Sequence, residues 1–597
     1  MWTQLRVIGR DPMVMSVLLA ALTVLTHSQI LHNDFTLDDF PAIVENPVVA
    51  DSDTSSRLTD VFTTNFWGGR ARFEHVTTWR PLTTLTFSWI HDVAGPNPMA
   101  FHLVSLCLHG LVTSLVFWLV LLWFERFNVA VLAGAMYALL PVHVEVIAGA
   151  VNLAEIQAAI FYLAGLIMVL RVDRQEGPRR NMLLAVALVC FLLGLLSKEH
   201  AVTWPVALVL IQGGRWLRFR REPKAHTWPR MPPVWFMGVT VAIIGVYLWA
   251  RAQALPALLG GDIPVSDNPM VVAPWGSRIL TVAKIYFQYL RLLVAPMVMT
   301  ADYSAHVVPT VTSFWDADAL AGLVAIAATV ALLGATIRRV PDVAGALLVF
   351  LMMASLIGNV FFLNTIIMAE RLMYLPSVGW CAFLALIIGV VWEGARWHAV
   401  GRRVLLMGIV LVLGLYALRS WQRVPVWQDN LTLFGAAVAD APDCARAHRI
   451  LAYELVDRGR AEEALSHARD SIRIEPSKEG YELVGDLYWQ RQDGRAALDN
   501  YRQSFAAGAT SSVLGKLCLA LVETREVAAA VKRCQNAVKI QPNHATLRLF
   551  LGLALDQSGR PVEALDALKR AISLAPDDRM IRREYERLRS QLPAPLR

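Results

Sequence analysis

Two adjacent carboxylates, Asp38 and Asp39 in FTLDDFPAIVENP, are the first residues of this chain whose type and spacing suggest chemistry. Neighbouring side chains on an extended or turn segment point to different sides. One can then face a pocket and take up or orient a proton, while the other binds a neighbour or a cation. The plainer alternative is a turn or helix cap, both of which aspartate favours. Three cations complement the pair: Arg80 in TTWRPLTTLTF, Lys198 in LLSKEHAVTWP and Arg371 in IMAERLMYLPS. Each lies at the edge of an apolar run, where it can hold a lipid-linked phosphate by charge-assisted hydrogen bonds. Alternatively each pairs with its chain neighbour, Lys198 with Glu199 and Arg371 with Glu370. His143 and Glu145, in LPVHVEVIAGAVNLAE, are supporting candidates that would orient Asp38 or Asp39, coordinate a cation, or hydrogen-bond each other. Glu155 and Asp302 are further candidate carboxylates. Ionisable groups in an apolar setting are costly, which points to function. No HExxH spacing or cysteine cluster accompanies this segment, so no metal centre is expected, although an assisting divalent cation is compatible. No glycine-rich phosphate loop appears, which argues against a soluble nucleotide as direct substrate.

The elements that must position these groups are membrane helices. Of 597 residues, 56% are hydrophobic and 17% charged, against roughly 25% charged in ordinary soluble domains. That balance excludes a soluble globular enzyme and a disordered chain, and six cysteines are too few for a disulfide scaffold. A net charge of +7 raises the question of nucleic acid, but in a membrane protein excess Lys and Arg mark cytoplasmic loops, so no nucleic-acid partner is expected. Crossing about 30 Å of hydrocarbon takes roughly 17–25 apolar residues. Runs of that kind, or nearly, lie near 13–31, 101–124, 128–148, 153–170, 182–196, 201–212, 233–253, 319–337, 343–361, 376–392 and 404–421, which makes a polytopic all-α bundle of about eleven spans.

Loop charge sets the orientation. Segments 171–181, 213–230, 338–339 and 396–403 are basic, whereas 254–277 and 300–318 contain Asp and no Lys or Arg. Loop 32–100 holds nine acidic residues against four arginines. The N-terminus, with Arg6 and Arg10, is therefore expected in the cytoplasm, with the acidic loops outside. The first run reads as an uncleaved anchor, because no small-residue cleavage site follows it. Residues 278–298 break the parity. Lys284, Gln288 and Arg291 give them one polar face, as in an amphipathic helix lying on the outer surface; the alternative is a span, which would invert everything after it and turn the arginine pairs at 338–339 and 402–403 outward.

Past about residue 440 the composition becomes that of a soluble domain and the chain repeats itself. Registers starting at Ala445, Lys478, Ser511 and Ala545 are spaced by 33, 33 and 34 residues. They align the small residues Ala452, Gly485, Cys518 and Gly552, then Ala464, Ala497, Ala530 and Ala564, with Pro476, Pro542 and Pro576 closing three of them. Small residues let two antiparallel helices touch and proline ends the second, as in a tetratricopeptide (TPR) α-solenoid. The expected organisation is a membrane domain over 1–435, carrying outer loop 32–100, and a TPR domain over 440–597 with a polar capping helix at 577–592. Cys518 and Cys534 fall on facing helices of the third repeat and can bridge in an oxidising compartment.

In order along the chain, LDDFPAIVENP, WRPLTTLTF, GPNPMAFHLVSLCLHG, PVHVEVIAG, LLSKEHAVT, ADYS, AERLMYLPSVG and WQDNLTLF resemble the transmembrane and tetratricopeptide repeat-containing O-mannosyltransferases and their bacterial relatives, over nearly the whole chain. The resemblance implies a membrane glycosyltransferase of the GT-C fold that takes a sugar, mannose in this family, from a polyprenyl-phosphate carrier on the non-cytoplasmic side, with no other cofactor. It implies that Asp38–Asp39 corresponds to the family's acidic motif in the first outer loop, one carboxylate being the general base. Val144 and Tyr303 depart from the family's usual Thr and Trp. On this reading a Ser or Thr hydroxyl attacks the anomeric carbon with inversion, Arg371, Lys198 or Arg80 stabilises the departing phosphate, and the repeats hold an extended protein acceptor. A bacterial inner membrane is favoured over the endoplasmic reticulum, with the TPR domain outside the cytoplasm. The alternatives are transfer to a glycan or lipid from the same donor site, and a non-catalytic membrane scaffold that displays the repeats.

Overall fold

The computed structural model describes residues 11–50, 54–69, 77–221, 228–255, 263–394, 399–508 and 511–593. The chain divides into two compact units, Met1–Asp440 and Ala441–Arg597. Among the described residues there is helix and turn but no strand, so the protein is all-α. Arg6 and Arg10, with Lys224 of segment 213–230 and Arg396 of segment 396–403, all expected in the cytoplasm, lie outside the described residues.

In the first unit, α1 (Pro12–His27) starts where the Asp11 carboxylate accepts the Met13 N–H at 2.8 Å and Pro12 presets the first turn. The helices that follow are α2 (Pro81–Ala94), α3 (Pro98–Phe124), α4 (Phe127–Leu139), α5 (Leu153–Arg171), α6 (Gly177–Ser197), α7 (Trp204–Arg221) and α8 (Val234–Ala254). Then come α9 (Trp275–Val294), α10 (Ala317–Ile337), α11 (Pro341–Ile357), α12 (Pro376–Gly394), α13 (Ala399–Arg423) and α14 (Asn430–Asp440). Among the described residues, eight helices are long and apolar enough to cross a membrane. A ninth crossing arises if α4 and the following Pro141–Ala148 turn count together, but the two are bent by 53°. The run read as one span over 128–148 is therefore broken. Pro141 has no N–H to continue the α4 ladder, and a 3-10 turn carries His143 away from the helix axis.

Two other expected runs change on folding. Helix α7 extends from the run at 201–212 into Arg215, Arg218, Arg220 and Arg221, and α11 stops after 17 residues rather than reaching 361. Helix α9 is not among the apolar spans. It crosses α10 so closely that a Cβ on Gly322 would lie 1.9 Å from the Ala283 carbonyl oxygen, and only glycine permits that approach.

The ends of this bundle differ in charge. At one end Arg218 reaches Asp342 at 3.2 Å and the Trp123 carbonyl at 2.8 Å. At the same end Arg215 pairs with Asp173, and Arg126 with Glu393. These bonds gather residues 123–126, 173, 215–218, 342 and 393, all in or beside the basic loops, at one end. The opposite end gathers the described parts of loop 28–97 (28–50, 54–69 and 77–97), the turn 140–152, SKEH at 197–200, loop 263–274 and the segment 358–376, and it carries the acidic pair.

The second unit is four helical hairpins and a last helix. The hairpins are α15 (Ala445–Asp457) with α16 (Ala461–Ile474), α17 (Lys478–Gln490) with α18 (Gly494–Ala506), α19 (Ser511–Glu523) with α20 (Val527–Ile540), and α21 (Ala545–Gln557) with α22 (Pro561–Leu574); α23 (Arg579–Gln591) follows. The small residues expected at the helix crossings are where the helices meet: Ala452, Ala464, Ala497, Cys518, Ala530 and Ala564 are fully buried. Cys518 and Cys534 are joined in a disulfide, with Cα atoms 5.4 Å apart.

Candidate functional site

The chain leaves α1 through a 3-10 turn, Ser28–His32, and is then pinned to residues 424–430. Asn33 donates to the Val424 carbonyl at 3.1 Å, the Asp34 N–H to the Gln428 carbonyl at 2.8 Å, and the Leu37 N–H to the Asn430 side-chain oxygen at 2.9 Å. Leu37 is held at φ 50°, a left-handed conformation that a branched side chain adopts only when its surroundings enforce it. The two aspartates that follow are sent to different environments. Asp39 is fully buried, and its oxygens accept the Thr36 N–H at 3.0 Å and the Val151 N–H at 2.7 Å. Burial pushes its carboxyl up to about 7, against those N–H donors, which favour the carboxylate. Asp39 thus ties the loop to the turn before α5, and the exposed Asp38 is the carboxylate left accessible.

The three cations lie at this same end, but they do not pair with their chain neighbours as the adjacent-pair reading expects. Residues next to each other in 3-10 turns face different ways, so each takes a partner from elsewhere. Arg371 donates from Nη1 and from its backbone N–H to the two oxygens of Glu145. Lys198 pairs with Glu155 at the start of α5. Arg80 pairs with Glu199 at 3.3 Å and stacks 5.1 Å over the Phe66 ring. Glu370 is fully buried, accepts the Tyr303 hydroxyl at 3.0 Å and lies 3.7 Å from Arg423.

These pairs shift the charges that face them. Burial pushes Glu370 up to about 8, against the pull of Arg423. Burial works the same way on Glu199, but Arg80 and Arg251 outweigh it and hold this carboxylate down to about 2. Burial lowers Lys198, and Glu155 only partly restores it. For Arg371, burial opposes the cation while Glu145 and Asp38 favour it, and the balance is upward. The Asp38 charge therefore lies within electrostatic reach of Arg371. A quarter of the Arg371 side chain is exposed, and its Nε and Nη2 groups make no hydrogen bond among the described residues.

The remaining candidates take structural places. His143 does not bond Glu145 or either aspartate. It is fully buried with its nitrogens 2.9 Å from the Tyr137 carbonyl and 2.9 Å from the Ser377 hydroxyl. In ADYS, the residue that reaches the cluster is Tyr303, while Asp302 sits half-buried in the turn beside it.

Sequence reasoning missed Arg251, Arg423 and His200. Arg251 bonds Glu199 at 3.3 Å and the Thr77 carbonyl at 2.6 Å from the last turn of α8, and Arg423 closes α13. Arg251 falls inside the apolar run 233–253 and Arg423 just past the run 404–421; a cation in the last turn of a span at the acidic end was the available signal. His200 approaches Glu155 at 3.6 Å, and with Glu155 it lines a narrow cleft walled by Met353, Leu372 and Leu375. A second, apolar cleft of about 750 Å³ runs between α9, α10 and α11, lined by Tyr286, Tyr289, Thr329, Phe350 and Met373.

The family profile described as "Protein O-mannosyl-transferase TMTC, DUF1736" matches residues 263–330, and a tetratricopeptide-repeat profile matches 428–479 and 516–579. Human "Protein O-mannosyl-transferase TMTC3" is 25% identical over 575 residues, covering 91% of this chain and 58% of that protein. Human "Protein O-mannosyl-transferase TMTC1" is 28% identical, covering 78% of this chain and 56% of the relative. "Protein O-mannosyl-transferase F38B6.6" of Caenorhabditis elegans is 27% identical, covering 79% and 64%. The chain thus spans about three fifths of the length of these relatives. Among solved structures, the TPR protein YrrB, described as having an unusual peptide-binding site, aligns with 26% of this chain and 82% of its own at 20% identity and a TM-score of 0.25. The matched domain, the repeats and alignments over most of the chain make it similar to the TMTC protein O-mannosyl-transferases.

Proposed function

We propose that the chain is a membrane glycosyltransferase that moves a sugar, mannose by the relatives' printed names, from a polyprenyl-phosphate carrier to a hydroxyl of a protein held by the repeats. The observation that carries this reading is the exposed Asp38, whose charge favours the Arg371 cation, together with the part of that guanidinium that Glu145 leaves unbonded. Asp38 accepts the proton of the acceptor hydroxyl. The hydroxyl oxygen bonds to the anomeric carbon, the bond from that carbon to the phosphate oxygen breaks, and the lipid phosphate leaves against Arg371. Its products are an inverted O-glycoside and the polyprenyl phosphate. Lys198 and Arg80, each held by a carboxylate, keep the surrounding field positive without touching the reacting atoms. The apolar cleft that ends at Met373 would take the first prenyl units of the carrier.

This end of the bundle would face away from the cytoplasm. Supporting that orientation are the basic loops gathered at the other end and the disulfide in the repeats, which persists in oxidising compartments. The chain also leaves the bundle at the same end as Asp38, because Arg423 and Asp440 approach within 3.8 Å there. The deciding experiment incubates membranes with radiolabelled polyprenyl-phosphate mannose. Label on protein supports the reading, label confined to lipid or polysaccharide moves the acceptor to those classes, and no transfer from any polyprenyl-phosphate sugar leaves the non-catalytic scaffold.

A further inference from the structure

The first repeat brings together three side chains whose chemistry is that of metal ligands. His448 projects from α15, while His467 and Asp470 are three residues apart on α16 and share a face. Nδ1 of His448 and Nδ1 of His467 lie 3.1 Å apart. A carboxylate oxygen of Asp470 completes a group whose three ligand atoms are all within 4.8 Å of one another. The second nitrogen of His448, Nε2, lies 3.0 Å from the Pro442 carbonyl. A carbonyl oxygen only accepts, so in the neutral ring Nε2 carries the proton and Nδ1 turns a lone pair into the cluster. An outer N–H···O=C bond of this kind sets the tautomer of metal-bound histidines. Two imidazole nitrogens on one tetrahedral zinc, each at about 2.0–2.1 Å, stand roughly 3.3 Å apart, close to the spacing already present. Arg473 holds only Oδ1 of Asp470, at 3.0 Å from its Nη2, which leaves the other oxygen for an ion.

We propose that His448, His467 and Asp470 form a binding site for a divalent transition metal of the zinc class that clamps the two helices of the first repeat. The two histidines bind through Nδ1 and the aspartate through one oxygen. Three protein ligands leave a fourth tetrahedral position for water or an external donor. The mixed nitrogen and oxygen set suits Zn²⁺, Ni²⁺ or Cu²⁺ and disfavours Ca²⁺ and Mg²⁺, which require oxygen. The site stands on the repeat unit alone and is independent of the transferase reading.

The test uses the full chain in detergent, stripped with a chelator, then titrated with Zn²⁺ against a chromophoric competitor and with Co²⁺ followed by its visible d–d absorption. The expected result is a four-coordinate Co²⁺ spectrum that Zn²⁺ abolishes. His467→Gln and Asp470→Asn alter side chains only partly buried. Each should weaken Zn²⁺ binding by at least about tenfold while the helical circular dichroism stays unchanged. His32→Gln, an exposed histidine of the other unit, should leave binding as it was. No Co²⁺ spectrum in the wild-type chain, or His467→Gln binding Zn²⁺ as tightly as the wild type, overturns the proposal.

Discussion

Arg371 should behave as two residues in one, and conservative and truncating substitutions separate its roles. The Glu145 side chain is 2% exposed, and both of its oxygens are satisfied from residue 371, one by the guanidinium and one by the backbone N–H at 2.7 Å. Arg371→Ala keeps the backbone bond but strands the other oxygen of a buried anion. Removing one partner of a buried pair costs about 3–5 kcal/mol. Because one bond survives and water reaches the partly open pocket, the low end, about 3 kcal/mol, applies here. Arg371→Lys restores a cation to Glu145 and should cost only about 1 kcal/mol. It removes the second guanidinium edge, though, so transfer should fall about 10²–10³-fold, the loss typical of one oxyanion contact. Adding Glu145→Gln to Arg371→Ala should recover part of the lost stability without recovering transfer. The assays are thermal unfolding in detergent and transfer of radiolabelled sugar from its lipid phosphate. An Arg371→Ala chain that melts like the wild type, or an Arg371→Lys chain with wild-type transfer, would refute the reasoning.

Three further outcomes follow from other parts of the molecule. Glu199 is held down to about 2 by Arg80 and Arg251 against a model-peptide value of 4.5, so its contribution to stability is complete above pH 4.5 and is lost as pH falls toward 2; Glu199→Gln should flatten the melting temperature across that window. In the repeats, a Cβ on Gly485 would lie 2.6 Å from the Tyr501 ring, whose hydroxyl is fixed to Asp486 at 2.8 Å. Gly485→Ala should therefore cost about 1–3 kcal/mol, read as an earlier unfolding transition. Reducing the Cys518–Cys534 bridge, which closes a 16-residue separation, should destabilise the repeats by about 3 kcal/mol, and a Cys518→Ala/Cys534→Ala chain should be indifferent to reductant.

The repeats and most spans were legible because their signals are periodic: small residues every 33 or 34 positions and long apolar runs survive any tertiary context. The gathering of Asp38, Arg80, Lys198 and Arg371 at one end was readable from alternation of loop charge. Their partners were not. Which carboxylate meets which cation depends on 3-10 turns that send Lys198 and Glu199, or Glu370 and Arg371, in opposite directions, and no spacing encodes that. The division of labour in the acidic pair was equally hidden, because it rests on the strained Leu37 and on an N–H from Val151, more than a hundred residues away. Arg251 and Arg423 were overlooked because a single cation in the last turn of an apolar helix looks like an interfacial anchor. The break at Pro141 was signalled by the proline itself and masked by the apolar residues on both sides.

The central claim is that Asp38, and not Asp39, takes the acceptor proton. It is tested most directly by measuring sugar transfer for Asp38→Asn and Asp39→Asn at matched folded protein. Asp38→Asn should melt like the wild type and lose about 10²–10⁴-fold in transfer, the contribution expected of a positioned general base. Asp39→Asn should lose about 1–3 kcal/mol of stability, because one of its two backbone donors is left unpaired, while its folded fraction still transfers. Transfer by Asp38→Asn within twofold of the wild type, with Asp39→Asn folded and inactive, would contradict the account and move the base to the buried residue.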